Sequence, residues 1–284
     1  MARGPEGEAP RPAHAPTEPR RGGLGADLRF LVGLWRAGLQ SAMAFRASFL
    51  TQVVGMALNN AMYLAFWVVL FERFPAVGSW GLRDVVLLFG VVAAAFGVAV
   101  VLFGNVLRLG DAITGGALDA WLTLPRPVLT SLLASRMATS GLGDVATGLV
   151  CFALSGQRSP EAAARFVVAV AASATIFLAF MVLVQSLAFW IGSATLLRQT
   201  AFNAVLTFAT YPLALFDGSA KFVLLTVVPA GIIGTVSAEF VRRFAWLTLG
   251  QLVVAALVLA ALAAVAFRTG LARYASGSVV LALE

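Results

Sequence analysis

Five stretches of this chain run for more than twenty residues with almost no charge, and they dictate the solvent in which it folds. Residues 47–71, 85–107, 166–197 and 244–267 carry no Asp, Glu, Lys or Arg at all. Residues 128–156 carry two, Arg136 near the start and Asp144 in the middle. A helix needs ~20 apolar residues to cross a hydrocarbon core ~30 Å thick, and each stretch meets that length. Of the 284 residues, 60% are hydrophobic and 12% charged. A soluble domain carries about 25% charged residues, and no soluble interior has room for so much apolar surface. The solvent for most of this chain is lipid.

The intervening segments set the expected topology. Residues 199–216 are apolar but short and end on Tyr211-Pro212, and residues 222–238 are interrupted by Pro229, Gly231 and Gly234. Broken backbone at membrane depth is tolerated only where it is buried in protein or lines a water-filled cavity. The pattern therefore predicts an all-α membrane protein with six transmembrane helices, at about 47–71, 84–108, 128–154, 165–192, 197–216 and 244–267. Residues 217–243 are expected to form a re-entrant or interfacial pair of short helices on the extracytoplasmic side, between the fifth and sixth spans. A seventh span through 222–240 is the competing reading. Leu28, Leu31, Leu34, Trp35 and Leu39 fall near one helical face of residues 27–46, with Arg29, Arg36 and Gln40 off it. That spacing predicts an N-terminal amphipathic helix lying in the membrane interface. Residues 1–25 are rich in Pro, Gly, Glu and Arg and read as a disordered tail without the apolar core of a signal peptide. The only histidine, His14, lies there as a solvated bystander. Residues 276–284 read as a C-terminal tail, leaving 26–275 as the transmembrane domain.

The net charge of +7 invites a nucleic-acid reading, but the basic residues stand singly between apolar runs or in the tail. A nucleic-acid surface concentrates them on one face among aromatics. With six spans and the N-terminus inside, the cytoplasmic segments hold Arg3, Arg11, Arg20, Arg21, Arg29, Arg36, Arg46, Arg108, Arg126, Arg198, Arg268 and Arg273. The other side holds Arg73, Arg83, Arg158, Arg165, Lys221, Arg242 and Arg243. Twelve against seven follows the positive-inside rule and predicts cytoplasmic N- and C-termini, with membrane lipids as partners and no nucleic acid. Trp67, Trp80, Trp121, Trp190 and Trp246 fall near span ends and read as interfacial anchors.

Several chemistries are excluded. The single lysine, Lys221, is followed by Phe222, so the phosphate loop of an ATPase is absent. One histidine in a tail and one cysteine, Cys151, inside an apolar run supply neither a metal site nor a nucleophile–base pair. The chain reads as no enzyme, with no cofactor and no metal.

Two groups of residues remain as candidates. The first is the segment from Gly104 to Pro127, which joins the second and third spans. Asp111 and Asp119 are the acidic residues on it, and Leu109, Ile113, Leu118, Trp121, Leu122 and Leu124 form an intermittent apolar set. A short amphipathic helix parallel to the membrane fits, resting on headgroups or docking in a groove of a cytoplasmic partner. The second group lies inside spans. A carboxylate within the bilayer is costly, by ~2.5–3.5 kcal/mol on insertion scales, so Asp144 is a candidate site residue. It either contacts a polar or cationic substrate group or accepts a hydrogen bond that fixes packing, since Gly141, Gly143 and Gly148 mark a close helix–helix approach. Gln185 and Asn203 likewise line a path or staple two helices, as do Asn59, Asn60 and Gln199. Arg136 reads as a snorkelling residue near the cytoplasmic interface.

The pattern Gly116-x-Leu118-Asp119-x-x-Leu122-x-x-Pro125 resembles the cytoplasmic signature of ABC-2-type transporter permeases. Ser140-Gly141-Leu142-Gly143-Asp144, Tyr211-Pro212, Val228-Pro229-Ala230 after Lys221-Phe222, and Leu271-Ala272-Arg273-Tyr274 fit the same family in order and spacing. The resemblance covers about residues 25–275. One departure is Gly231-Ile232-Ile233-Gly234, where the family often carries a second proline and aromatics. The resemblance implies a permease subunit of an ABC transporter in the plasma membrane, powered by a separate ATP-binding subunit and paired with a second copy or a related permease. It implies export. It makes residues 108–121 the coupling segment, with Arg108, Asp111, Gly116, Leu118, Asp119 and Trp121 as the contacts to the ATPase, and Asp111 or Asp119 pairing with a basic residue there. It makes residues 27–46 the connecting helix and 217–240 the external cap of the path. An ion-coupled secondary transporter is the alternative; that class shows inverted repeats, and none stands out between the chain halves.

Overall fold

The computed structural model describes residues 23–274, and among these the regular structure is helical, apart from one isolated bridge between Val77 and Trp80. The readings of residues 1–22 as a disordered tail, of His14 as a bystander and of 276–284 as a C-terminal tail lie outside the described residues.

Four helical stretches are long and apolar enough to cross a membrane: Arg46–Arg73, Leu82–Thr114, Pro160–Ile191 and Trp246–Leu271. The shortest, at 26 residues, rises roughly 39 Å at 1.5 Å per residue. In chain order the helices are α1 (Leu24–Ala44), α2 (Arg46–Arg73) and α3 (Leu82–Phe103), followed by the short α4 (Leu109–Thr114) and α5 (Asp119–Leu122). Then come α6 (Val128–Ala134), α7 (Gly141–Leu154), α8 (Pro160–Ser186), α9 (Ala188–Ile191), α10 (Thr195–Ala209), α11 (Gly218–Thr226), α12 (Ser237–Arg242) and α13 (Trp246–Leu271).

α3 is the axis of the bundle. It packs along α7 on one side and α8 on another, with α2 outside α7 and α13 outside α8. Small residues make the α3–α7 contact. A Cβ at Gly97 would come within 2.5 Å of the Gly141 carbonyl oxygen, and one at Gly148 within 2.7 Å of the Gly90 oxygen. Gly143 faces the other way, where a Cβ would meet the Val53 oxygen of α2 at 2.5 Å. Backbone against backbone is how helices associate where no water drives them together. The three glycines expected to mark a close approach therefore place α7 flush between two neighbours.

The expected third span is not one helix. It breaks over residues 135–140 into α6 and the 14-residue α7. The cause lies across the contact. α3 leaves its regular course at Gly104 for a 3₁₀ turn over Gly104–Arg108, and the break presses on that turn: a Cβ at Gly104 would lie 2.8 Å from the Ala138 amide nitrogen. The Ala138 N–H donates to the Val100 carbonyl at 3.0 Å, and Asn105 Nδ2 donates to Leu132 O at 3.0 Å. The Ala138 N–H and the Leu132 carbonyl, at and just before the break, are thus bonded from the partner helix, the kind of compensation a broken helix in a membrane needs. Arg136 sits in this break, exposed. The expected fifth span is α10, 15 residues long, followed by a 3₁₀ turn at Leu213–Leu215.

The region after it does hold two short helical pieces. α11 is largely exposed, with Phe222 open, as is Val227 just after it. After a turn at Pro229, residues 230–242 run as one buried helical piece that includes a π turn at Ile232–Val236. Ser237 Oγ donates to the Ile232 carbonyl at 3.0 Å and lies 2.7 Å from Ser173 Oγ of α8, which pins the widened turn. Gly234 permits it, since a Cβ there would strike Ala209 O at 2.0 Å.

α1 matches the amphipathic expectation in extent. Leu31, Leu34 and Trp35 are half-buried, Arg29, Arg36 and Gln40 are exposed, and Leu28 and Leu39 are also exposed. Two tryptophans depart from the anchoring expectation. Trp67 and Trp80 are buried, Trp67 packed edge-on against Tyr211 and Trp80 beneath the Arg242 guanidinium at 4.9 Å. Arg242 also pairs with Asp84 at 2.7 Å, tying the end of α12 to the start of α3. Tertiary contact has claimed both rings. Trp190 and Trp246 are exposed, as an anchor requires.

Candidate functional site

The segment between α3 and α6 folds as a compact unit rather than one helix. The 3₁₀ turn leads into α4, Gly116 turns the chain at φ 75°, and α5 follows before Pro125 and Pro127. Val106, Leu109, Ile113 and Leu118 are buried. Leu118 is thus a core residue that holds the unit to the bundle. Arg108, Asp111 and Thr114 are exposed, Gly116 and Trp121 are half-buried, and Asp119 is half-buried beside Tyr274. The six residues expected to contact an ATPase therefore divide: Arg108 and Asp111 are open to a partner, while Leu118 and Asp119 face the chain itself.

Three clamps fix this unit to the spans. The first is Gln185 of α8, fully buried, whose Oε1 accepts from the Gly110 N–H at 3.0 Å and whose Nε2 donates to the Val106 carbonyl. One side-chain amide satisfies an N–H and a C=O at the root of α4. Gln185 was expected to line a path or staple helices; its bonds make it a staple. The second clamp is Arg126, paired with Asp27 of α1 at 2.6 Å and lying over the Phe30 ring at 5.4 Å. Both groups are partly exposed, so the pair sets geometry more than it adds stability. The third is Tyr274, just past α13. Its hydroxyl is buried, and that burial, then the nearby Asp119 carboxylate, pushes its phenol up to about 12.

Deeper in the bundle, a cavity of about 290 Å³ opens between α2, α3, α7 and α10. Asp144 and Asn203, expected as intramembrane candidates, both line it, with Asn60, Tyr63, Phe89 and Phe96. Asp144 is buried, and its Oδ1 accepts from Asn60 Nδ2 at 2.7 Å. Its Oδ2 has no hydrogen-bond partner among the described residues. Asn60 Nδ2 also approaches Thr147 Oγ1 at 3.4 Å. The ring walls are aromatic: Tyr63 stacks on Phe89 at 6.0 Å, and Phe96 meets Phe202 at 5.7 Å. In the sequence Asn60 is one of several polar residues in spans. Its partner lies 84 positions away, and no local pattern joins the two. Among the described residues no cluster of His, Cys, Asp and Glu is placed to hold a metal ion.

A helical bundle with four membrane-length helices defines a multi-pass membrane protein. A family model for ABC-2 family transporter proteins matches residues 57–278. The chain belongs to that family, the membrane component of an ABC transporter. It is a transport subunit rather than an enzyme, and the family implies pairing with an ATP-binding subunit. Neither curated proteins nor solved structures give a match.

Proposed function

We propose that this chain is the permease subunit of an exporter, driven by ATP hydrolysis on a separate chain that docks on the α4–α5 unit. The observation that carries this reading is the set of three clamps. A body without a phosphate loop receives work mechanically, and a rigid lever tied at once to α1, α8 and the end of α13 conveys one push to three elements. Arg108 and Asp111 form the outer edge of the lever and meet the ATPase, Asp111 through a basic residue there. Asp119 works from inside, through Tyr274.

In this reading residues 26–275 form the transmembrane domain and cross the plasma membrane six times, with α6–α7 as the third crossing and α10 as the fifth. α1 lies in the cytoplasmic interface, α11 and residues 230–242 cap the external end, and both termini are cytoplasmic. A second copy, or a related permease, completes the path that begins at the Asp144 cavity.

The test is co-purification of the chain with its ATP-binding subunit, followed by ATP hydrolysis in lipid. Stable association and hydrolysis that rises with the membrane subunit present are expected. Hydrolysis indifferent to this chain, with no association, overturns the reading.

A further inference from the structure

We propose that the α2–α3–α7–α10 cavity is a binding site for amphipathic organic cations, with the ammonium group held by Asp144 and the apolar body seated against Tyr63, Phe89 and Phe96. The inference deepens the permease reading and rests on it for the meaning of the site, though not for its chemistry.

Four features point to a cation. Asp144 stands alone: no arginine or lysine lines the cavity with it. Its Oδ1 is engaged by Asn60, while Oδ2 is buried and unpartnered. A native structure seldom leaves such an oxygen without a partner, because the desolvation cost goes uncompensated. A small turn of the carboxylate presents Oδ2 to a donor in the cavity without breaking the Asn60 bond. The remaining wall suits what such a donor would carry. Tyr63, Phe89 and Phe96 line the cavity beside Asp144, and aromatic rings both attract a cation over their faces and accept an alkyl or aryl body. Asn203 and Thr207, across the cavity on α10, add neutral hydrogen-bonding groups that would accept further N–H bonds. An anionic or phosphorylated ligand finds the opposite: a carboxylate and no positive charge. A neutral lipid would leave Oδ2 as it is.

The test uses the full chain in lipid nanodiscs and a matched pair of probes, 1-naphthylmethylamine and 1-naphthylmethanol, read by naphthyl fluorescence. The two differ in one charged group. The amine should bind at least tenfold more tightly than the alcohol. Asp144→Asn should erase that preference and leave alcohol binding unchanged. Tyr63→Leu, at an exposed position that keeps an apolar side chain against Phe89, should weaken the amine several-fold with Asp144 intact, so the site stays testable if Asp144→Asn fails to fold. Equal binding of amine and alcohol, or a preference that survives Asp144→Asn, overturns the proposal. Stimulation of ATP hydrolysis by the assembled complex distinguishes the two readings. A working complex with no amine preference leaves the permease reading standing and removes this one. Amine binding by a chain that never joins an ATPase does the reverse.

Discussion

Gln185 holds both ends of one short backbone stretch, accepting from the Gly110 N–H and donating to the Val106 carbonyl, which pins the root of α4 to α8. Both backbone groups are buried. Gln185→Leu keeps the volume and leaves an N–H and a C=O without partners, each costing about 1–3 kcal/mol. The variant is expected to unfold at lower temperature in lipid and to bind the ATP-binding subunit while losing the rise in ATP hydrolysis. A variant with unchanged thermal stability would remove Gln185 from the clamp.

The two aspartates of the coupling unit should separate on mutation. Asp111 is exposed, whereas Asp119 lies beside Tyr274. Asp111→Arg is expected to weaken association with the ATPase at least tenfold, more so at low salt, where exposed charges are least screened. Asp119→Arg is expected to disturb the end of α13 first, seen as faster backbone hydrogen exchange around residues 268–274. Identical behaviour of the two variants would mean that the unit has no inner and outer edge.

Tyr274 gives a pH signature. Its phenol is raised from 10.0 to about 12, so the folded protein holds the neutral form where an unfolded chain would release the proton. The stability from this contact is full below pH 10 and is lost as pH rises from 10 to 12. Alkaline titration should therefore loosen the α13 end from the α4–α5 unit over that window. Tyr274→Phe should abolish the dependence while leaving the helix content unchanged, which circular dichroism and hydrogen exchange together can read.

The helical class and the long spans were legible because apolar runs of this length have one solution in lipid. The close approach of α7 was legible too, since Gly141, Gly143 and Gly148 have no other use in a span. The break at residues 135–140 was not. It depends on Gly104 and Val100, which lie on another helix, and residues 128–156 remain apolar through it. The same limit applies to the cavity. Asp144 stood out as a lone intramembrane carboxylate, but Asn60 and the aromatic wall came together only through the packing of α2 and α3 on α7. Trp67 and Trp80 show the converse: a position near a span end suggests an anchor, and only the fold reveals a neighbour such as Tyr211 or Arg242.

Packing at the α3–α7 seam should tolerate nothing larger than hydrogen. Gly97→Ala would bring a Cβ to 2.5 Å from the Gly141 oxygen and 2.9 Å from Asp144 Cβ. Overpacking of this kind costs about 1–3 kcal/mol. It should also shift Asp144 and so weaken binding in the cavity. Gly250→Ala is the control, because a Cβ there meets nothing within 4 Å. Equal thermal stability of the two variants would contradict the seam.

Whether α6–α7 crosses the membrane despite its break has a direct answer. In a Cys151→Ala background, a cysteine at Thr123 reports the segment before α6, and one at Arg158 reports the segment after α7; both positions are exposed. Cys151 itself is fully buried against Gly90, where alanine removes only the sulfur. A membrane-impermeant maleimide applied to intact cells should label Arg158→Cys at once and Thr123→Cys only after permeabilisation. A crossing is expected because Val100 and Asn105 of the neighbouring segment bond the Ala138 N–H and the Leu132 carbonyl at the break, which lowers the cost of parting the helix within the bilayer. Labelling of both positions from the same side would show that α6 and α7 form a hairpin, and the protein would then have fewer crossings than six.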